Sequence, residues 1–113
     1  MTGQLGAGKT VLIKGIAWGL EIKKIITSPT FVLMKVYSIK NSKLKIKNLV
    51  HIDCYRTKNS QEIIDIGATE YFGRQDTVTV IEWADKIKKI LPKKTIQIII
   101  KLRGENKREI IIK

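Results

Sequence analysis

A single cysteine, Cys54, cannot form an intramolecular disulfide, so the chain is expected to hold together by packing alone and to live in a reducing compartment. Long apolar runs are also missing. None approaches the roughly twenty residues that a membrane span requires, and the first residues lack a charged-then-apolar signal architecture. A cytoplasmic location with no membrane contact is the expectation. Acidic residues are scarce, 10 Asp and Glu against 22 Lys and Arg, which leaves a net charge of +12 and a pI near 10.0. That balance invites a nucleic-acid reading. The lysines, however, are scattered over every segment beside an equal excess of isoleucine, a pairing that an AT-rich coding sequence produces whatever the function. The net field still favours approach to an anionic partner. Internal repeats, low-complexity tracts and linkers are absent as well, so residues 1–113 are expected to form one domain, with the 43% hydrophobic and 28% charged content of a globular chain.

What is present is organised around Gly3-Gln4-Leu5-Gly6-Ala7-Gly8-Lys9-Thr10, which satisfies G-x-x-x-x-G-K-[ST]. Glycines at the fixed positions permit a tight backbone that points successive N–H groups inward, forming an anion nest that a β-carbon would obstruct. The nest opens into a helix whose N-terminal partial charge adds to the cradle. In this pattern Gly6, Ala7 and Gly8 wrap the phosphates, Lys9 supplies a point charge for the β- and γ-phosphates, and the Thr10 hydroxyl is placed to ligate a nucleotide-bound Mg²⁺. A phosphate loop is ordinarily fed by a buried strand, yet only Met1 and Thr2 precede Gly3. The expectation is a fold lacking its usual first strand: either the true start lies upstream, or the loop is poorly anchored.

Apolar Leu12, Ile13, Ile16, Ala17 and Leu20 recur at helical spacing after the loop and predict a helix over 9–20, with Gly19 as its stop. Trp18 on this helix reads as a packing residue. Pro29 forces Ser28 out of the helical region and makes 25–31 an extended loop. Residues 31–37 and 44–52 read as two strands of a hairpin linked by Lys40 to Lys43. Asn59 can cap a helix with Glu62 three residues on, its buried side supplied by Ile63, Ile64 and Ile66 until Gly67 interrupts. The β-branched run 77–81 reads as a fully buried, parallel strand. A helix over 84–91 ends at Pro92, and strands 95–102 and 109–112 flank a hairpin signal at Gly104-Glu105-Asn106.

Acidic side chains at the carboxyl ends of buried strands manage the metal and the attacking water in phosphate-loop enzymes, because ligands bind at that edge of a parallel sheet. Two acids have that address: Asp53 follows 49–52, and Glu82 follows 78–81. Each could equally be an acid leaving a strand into a turn. Thr30, in the proline-stiffened loop after the first helix, stands where switch-type nucleotidases place a hydroxyl that senses Mg²⁺ and the γ-phosphate, or in an ordinary Ser-Pro-Thr turn. His51 reads as an exposed-face histidine and Cys54 as a small apolar filler. Trp83 either stacks on a base or packs.

Taken together, Gly3 to Thr10, Ser28-Pro29-Thr30-Phe31, His51-Ile52-Asp53-Cys54-Tyr55-Arg56, Asp65-Ile66-Gly67 with Glu70-Tyr71-Phe72, and Ile81-Glu82-Trp83-Ala84 resemble, in order and spacing, the TsaE (YjeE) family of small ATPases in bacterial tRNA threonylcarbamoyladenosine synthesis. The resemblance covers essentially the whole chain. It implies an α/β, P-loop NTPase-like three-layer fold with a mixed sheet. It also implies ATP and Mg²⁺ as ligands, and joint work with TsaD and TsaB on tRNA reached through that complex. Residue by residue it assigns Gly6 to Thr10 to the phosphates, Thr10 and Glu82 to Mg²⁺, Thr30 to the switch-like loop and Asp53 to the catalytic acid position. Trp83 matches a functionally important tryptophan, and Arg108 resembles a basic residue near the nucleotide base. The chain departs from the pattern at Gln4, where Asp is usual, at Cys54, where Leu is usual, and in the N-terminal strand and helix that support the loop in the family.

Two other function classes compete. A small-molecule kinase of this fold needs an arginine-rich lid, and the four arginines, Arg56, Arg74, Arg103 and Arg108, are not clustered. A basic RNA-binding module with a degenerate nucleotide site would use the positive charge alone.

Overall fold

The computed structural model describes residues 2–3, 9–20, 34–39, 45–104 and 107–113. Its elements run β1 (Thr2–Gly3), α1 (Lys9–Gly19), β2 (Met34–Ser38), β3 (Asn48–Asp53), α2 (Ser60–Asp65), a 3₁₀ turn (Ala68–Tyr71), β4 (Thr77–Glu82), a second 3₁₀ segment (Ala84–Ile90), β5 (Ile98–Leu102) and β6 (Arg108–Ile112). The expected loop at 25–31, the Lys40 to Lys43 link and part of the last hairpin turn lie outside the described residues.

Among the described residues, six strands pair as two three-stranded sheets, each mixed: β2-β3-β4 and β1-β5-β6. In the first, β2 runs antiparallel to β3 and β3 parallel to β4; in the second, β1 runs parallel to β5 and β5 antiparallel to β6. The first strand, expected to be lacking, is present as the two residues Thr2 and Gly3 in register with Ile99 and Ile100.

Side-chain alternation on β3 sorts the core into two halves. Leu49 faces one side, where it meets Val80 and the buried stripe of α1, Ile13, Ala17 and Leu20. Val50, Ile52 and Cys54 face the other, with Ile81, Ile63 of α2, Ala68, Ala84 and Ile87. Helix, sheet and the α2 layer thus stack as three layers with β3 and β4 at the centre.

Local chemistry explains the element ends. Gly19 closes α1, and the Leu20 N–H caps the carbonyls of Ile16 and Ala17. Asn59 caps α2 by accepting the Glu62 N–H at 3.2 Å, as its position predicts. Gly67 supplies the left-handed backbone (φ 82°) between α2 and the turn at Ala68. Asp76 leads into β4; a hydrogen bond from the Thr77 hydroxyl, then Arg74 at 3.1 Å, hold its carboxyl below the usual range.

Several sequence expectations need correction. Trp18 is 76% exposed because α1 turns Ile13 and Ala17 to the sheet, and position 18 falls off that stripe. On α2 only Ile63 is buried; Ile64 and Ile66 are surface residues, since a helix of 6 residues presents a single inward position. The segment 84–90 is 3₁₀ with a break at Ile87 (φ −127°) rather than a continuous α-helix, and the break lets Ile87 drop into the core. The strand β4 is parallel as expected but buried only at Val80, Ile81 and Glu82; Thr77, Val78 and Thr79 remain half-buried at the sheet edge.

Candidate functional site

Asp53 and Glu82 are the last residues of β3 and β4, and they stand directly opposite each other in the parallel register. Neighbouring strands lie about 4.8 Å apart, so two carboxylates share one point on the carboxyl edge of the sheet. Register also fixes their face. His51, Asp53, Val80 and Glu82 alternate onto the side where Val80 meets α1. The acids and the helix that follows the phosphate loop therefore lie on the same side.

Glu82 is buried, 4% exposed, and a carboxylate that deep requires a partner. It has one in His51, whose Nε2 lies 2.8 Å from Glu82 Oε2. An ionised carboxylate only accepts, so the imidazole donates through Nε2, and Nδ1 is buried without a hydrogen-bond partner. This overturns the exposed-face reading of His51, which is 0% exposed. Alternation puts it two residues before Asp53, on the acid face, and α1 covers that face. The bond ties down Oε2 and leaves Oε1 outside it.

Asp53 is held differently. Its Oδ1 accepts the backbone N–H of Tyr55 at 3.0 Å, an Asx turn that carries the chain off the strand end. The Cys54 N–H meanwhile bonds the Glu82 carbonyl at 3.0 Å, continuing the ladder one step past the acids. Cys54 itself faces the opposite core and is fully buried, as a filler should be. Burial, reinforced by the nearby Asp53 charge, pushes its thiol up from 9.0 to about 11. Because the folded value is raised, the buried thiol's contribution to stability is whole below pH 9 and is lost as pH rises towards 11. Denaturant titrations at pH 8.5 and 11 should show the native chain losing on the order of 2 kcal/mol more than Cys54→Ala; equal losses would contradict the assignment.

Beside the acids sits an aromatic pair that the sequence reading saw only in half. Trp83 occupies the left-handed region (φ 59°, ψ 39°), the only non-glycine residue with positive φ among the described residues. Such backbone costs on the order of 1–3 kcal/mol and persists where the surroundings over-determine it. Its ring packs partly on the α2-side core and lies 5.2 Å from the Tyr55 ring at 47°. Lys86 joins them, donating to the Tyr55 carbonyl and placing Nζ 5.4 Å over the Tyr55 ring. Tyr55 and Lys86 were not singled out from the sequence; Tyr55 follows Asp53 by two and Lys86 follows Trp83 by three, a spacing that becomes visible only once β3 and β4 are known to be neighbours.

The remaining expected residues divide. Lys9 and Thr10 are placed as the first two residues of α1, and Arg108 opens β6 opposite Leu102. The side chains of these three, together with Gly6, Ala7, Gly8 and Thr30, lie outside the described residues. Asp53, Glu82 and Trp83 are brought together; Arg108 belongs to the other sheet.

The family model for "Threonylcarbamoyl adenosine biosynthesis protein TsaE" matches residues 1–110. The chain is 43% identical over 110 residues to the tRNA threonylcarbamoyladenosine biosynthesis protein TsaE of Bacillus subtilis, covering 97% of this chain and 65% of that one. It is 40% identical to the protein of the same name from Treponema pallidum, covering 99% and 78% respectively. Among solved structures, the crystal structure of Bacillus subtilis YdiB superposes with a TM-score of 0.71 at 38% identity, over 96% of this chain and 62% of that one. The α/β fold with mixed strand pairing is thus shared with a solved protein, and this chain spans roughly two-thirds of the length of the Bacillus relatives it matches.

Proposed function

The chain belongs to the TsaE family, and from that membership we propose that it is the ATP-binding and hydrolysing subunit of the machinery that makes threonylcarbamoyladenosine in tRNA, acting with TsaD and TsaB. The observation that carries the catalytic part is the in-register pairing of Asp53 with Glu82 on the α1 face. Hard oxygen donors, one or two carboxylates plus nucleotide phosphates, are what Mg²⁺ takes in nucleotide sites, and these two acids fit that demand. Glu82 and the Thr10 hydroxyl would hold the ion, which when bound neutralises charge on the phosphates. Asp53 is the carboxylate that orients the attacking water and, as general base, accepts its proton. Lys9 offsets phosphate charge, the backbone of Gly6 to Gly8 cradles it, and Thr30 completes the loop that partners order. Trp83 closes the site beside Glu82, and the family pattern assigns Arg108 to the base. This is catalysis by positioning and electrostatics, with no covalent intermediate. The net charge of +12 favours approach of the complex to tRNA, in the cytoplasm.

Fluorescent ATP titrated with and without Mg²⁺ tests the reading directly. Binding should require Mg²⁺ and fall at least about 100-fold in Lys9→Ala, the loss expected when a charge-assisted contact worth about 3 kcal/mol is removed. Equal binding by both proteins would remove the phosphate loop from the proposal. Purified TsaD and TsaB should also raise the turnover rate; a chain that neither binds them nor responds to them is not a subunit of that complex.

A further inference from the structure

The hydrogen-bonded ladder between β3 and β4 ends one step past the acids, at the bond from the Cys54 N–H to the Glu82 carbonyl. Each strand then leaves the sheet through a turn. On the β3 side the Thr57 N–H returns to the Cys54 carbonyl at 3.0 Å, and on the β4 side the Lys86 N–H returns to the Trp83 carbonyl at 3.2 Å. The first of these turns carries Tyr55, whose N–H is the donor to Asp53 Oδ1 at 3.0 Å. The aim of the Asp53 carboxylate therefore depends on where Tyr55 is held, beyond the end of the ladder.

Lys86 holds it. The left-handed backbone of Trp83 (φ 59°) redirects the chain directly after Glu82, and the side chain of Lys86 crosses from this exit to the other. There it grips Tyr55 twice. It donates to the Tyr55 carbonyl, and its Nζ stands 5.4 Å from the centre of the ring, within cation–π range. The Trp83 ring meets the same tyrosine at 5.2 Å. Stability does not account for this arrangement. Tyr55 is 42% exposed, so water would satisfy its carbonyl if the lysine were absent. An exposed contact that orders a long flexible side chain contributes little to folding. What the grip does fix is the backbone of the residue that orients Asp53.

We propose that Lys86 is a positioning residue for the Asp53 carboxylate, acting through the backbone of Tyr55. The inference rests on the role proposed above for Asp53, the carboxylate that orients the attacking water. Its ammonium is committed to Tyr55, so its effect reaches the reaction along the chain of contacts from Lys86 to Tyr55 to Asp53. A carboxylate that aims water must keep its place closely, because a misplacement of about 1 Å can cost up to about 100-fold in rate. Without the lysine the turn at Tyr55 loosens, the Asx bond opens more often, and Asp53 spends less time in its working orientation. The strand ends themselves stay in register, since the ladder up to Cys54 does not involve Lys86.

Lys86→Met, which keeps the length of the side chain and removes its charge and its donor, tests this on the whole chain. Amide hydrogen exchange at Tyr55 should quicken at least about tenfold, while the amides of Val50 and Ile52 and the melting temperature, within about 2 °C, stay as in the parent. ATP turnover should fall about tenfold with ATP affinity within about threefold of the parent. Lys86→Arg, which can still donate to the carbonyl and stack on the ring, should bring both exchange and turnover back to within about threefold. In an Asp53→Asn background, Lys86→Met should cost no further turnover, because the group it positions is already gone. Unchanged exchange at Tyr55 overturns the proposal, and so does a loss of turnover as large in the Asp53→Asn background as in the parent. A parent chain that does not turn over ATP sinks the ATPase reading, and exchange at Tyr55 then decides on its own whether Lys86 holds the turn.

Discussion

His51→Ala is expected to lower stability by about 3 kcal/mol and the melting temperature by on the order of 15 °C, although the residue makes no contact with solvent. The cost does not come from losing a favourable pair in the ordinary sense. Glu82 is 4% exposed and has His51 as its partner at 2.8 Å, so removing the imidazole leaves a carboxylate buried and unpaired. Desolvation then dominates over the lost packing of the ring. ATP turnover should fall about 100-fold as well, because Oε2 is no longer tied down and the carboxylate loses its fixed orientation.

Two further variants separate this account from a plain cavity effect. His51→Gln places an amide N–H near the former Nε2 and should recover all but about 1.5 kcal/mol. The double variant His51→Ala, Glu82→Gln should be more stable than His51→Ala alone by about 1–2 kcal/mol, since a neutral amide is cheaper to bury than a charge. Chemical denaturation of the parent, His51→Ala, Glu82→Gln and the double variant closes the cycle. If the double variant is the sum of the singles, the pair is not coupled and His51 is merely a filler.

The two acidic strand ends were legible because each rests on local chemistry, an apolar run ending in a carboxylate. The same holds for the Asn59 cap and the Gly67 break. Register was not legible. That Asp53 stands opposite Glu82 depends on β3 and β4 being neighbours in phase, with Cys54 and Glu82 joined across 28 positions by a backbone bond, and nothing local encodes it. The partner of His51 is hidden for the same reason; alternation alone would have put His51 on the face of Asp53, but only the position of α1 says that this face is covered. Trp18 and β4 fail in the opposite sense. Helical spacing and a β-branched run announce burial, yet Trp18 lies off the stripe and β4 stops half-buried at an edge, because burial is decided by what stands alongside. Gly6 to Gly8 and Thr30 lie outside the described residues, and their assignments rest on the sequence motifs and the family pattern.

The two acids should separate cleanly when each loses its charge and nothing else. In Asp53→Asn the amide oxygen still accepts the Tyr55 N–H, so the turn at the end of β3 survives. In Glu82→Gln the amide oxygen still accepts from His51 Nε2, so the buried pair survives as a neutral bond. Both proteins should be folded and within about 1 kcal/mol of the parent, well inside the range of surface changes and modest hydrogen-bond losses. Their kinetics then divide by role. On the role proposed for Asp53, Asp53→Asn removes the group that orients water and accepts its proton, so kcat should fall about 100- to 1,000-fold with ATP affinity within about threefold of the parent. On the role proposed for Glu82, Glu82→Gln removes a metal ligand, so the Mg²⁺-dependent part of ATP binding should weaken at least about tenfold, and raised Mg²⁺ should restore part of the rate. If Mg²⁺ rescues Asp53→Asn and leaves Glu82→Gln slow, the two roles are exchanged. Turnover unchanged in both would place the chemistry elsewhere in the molecule.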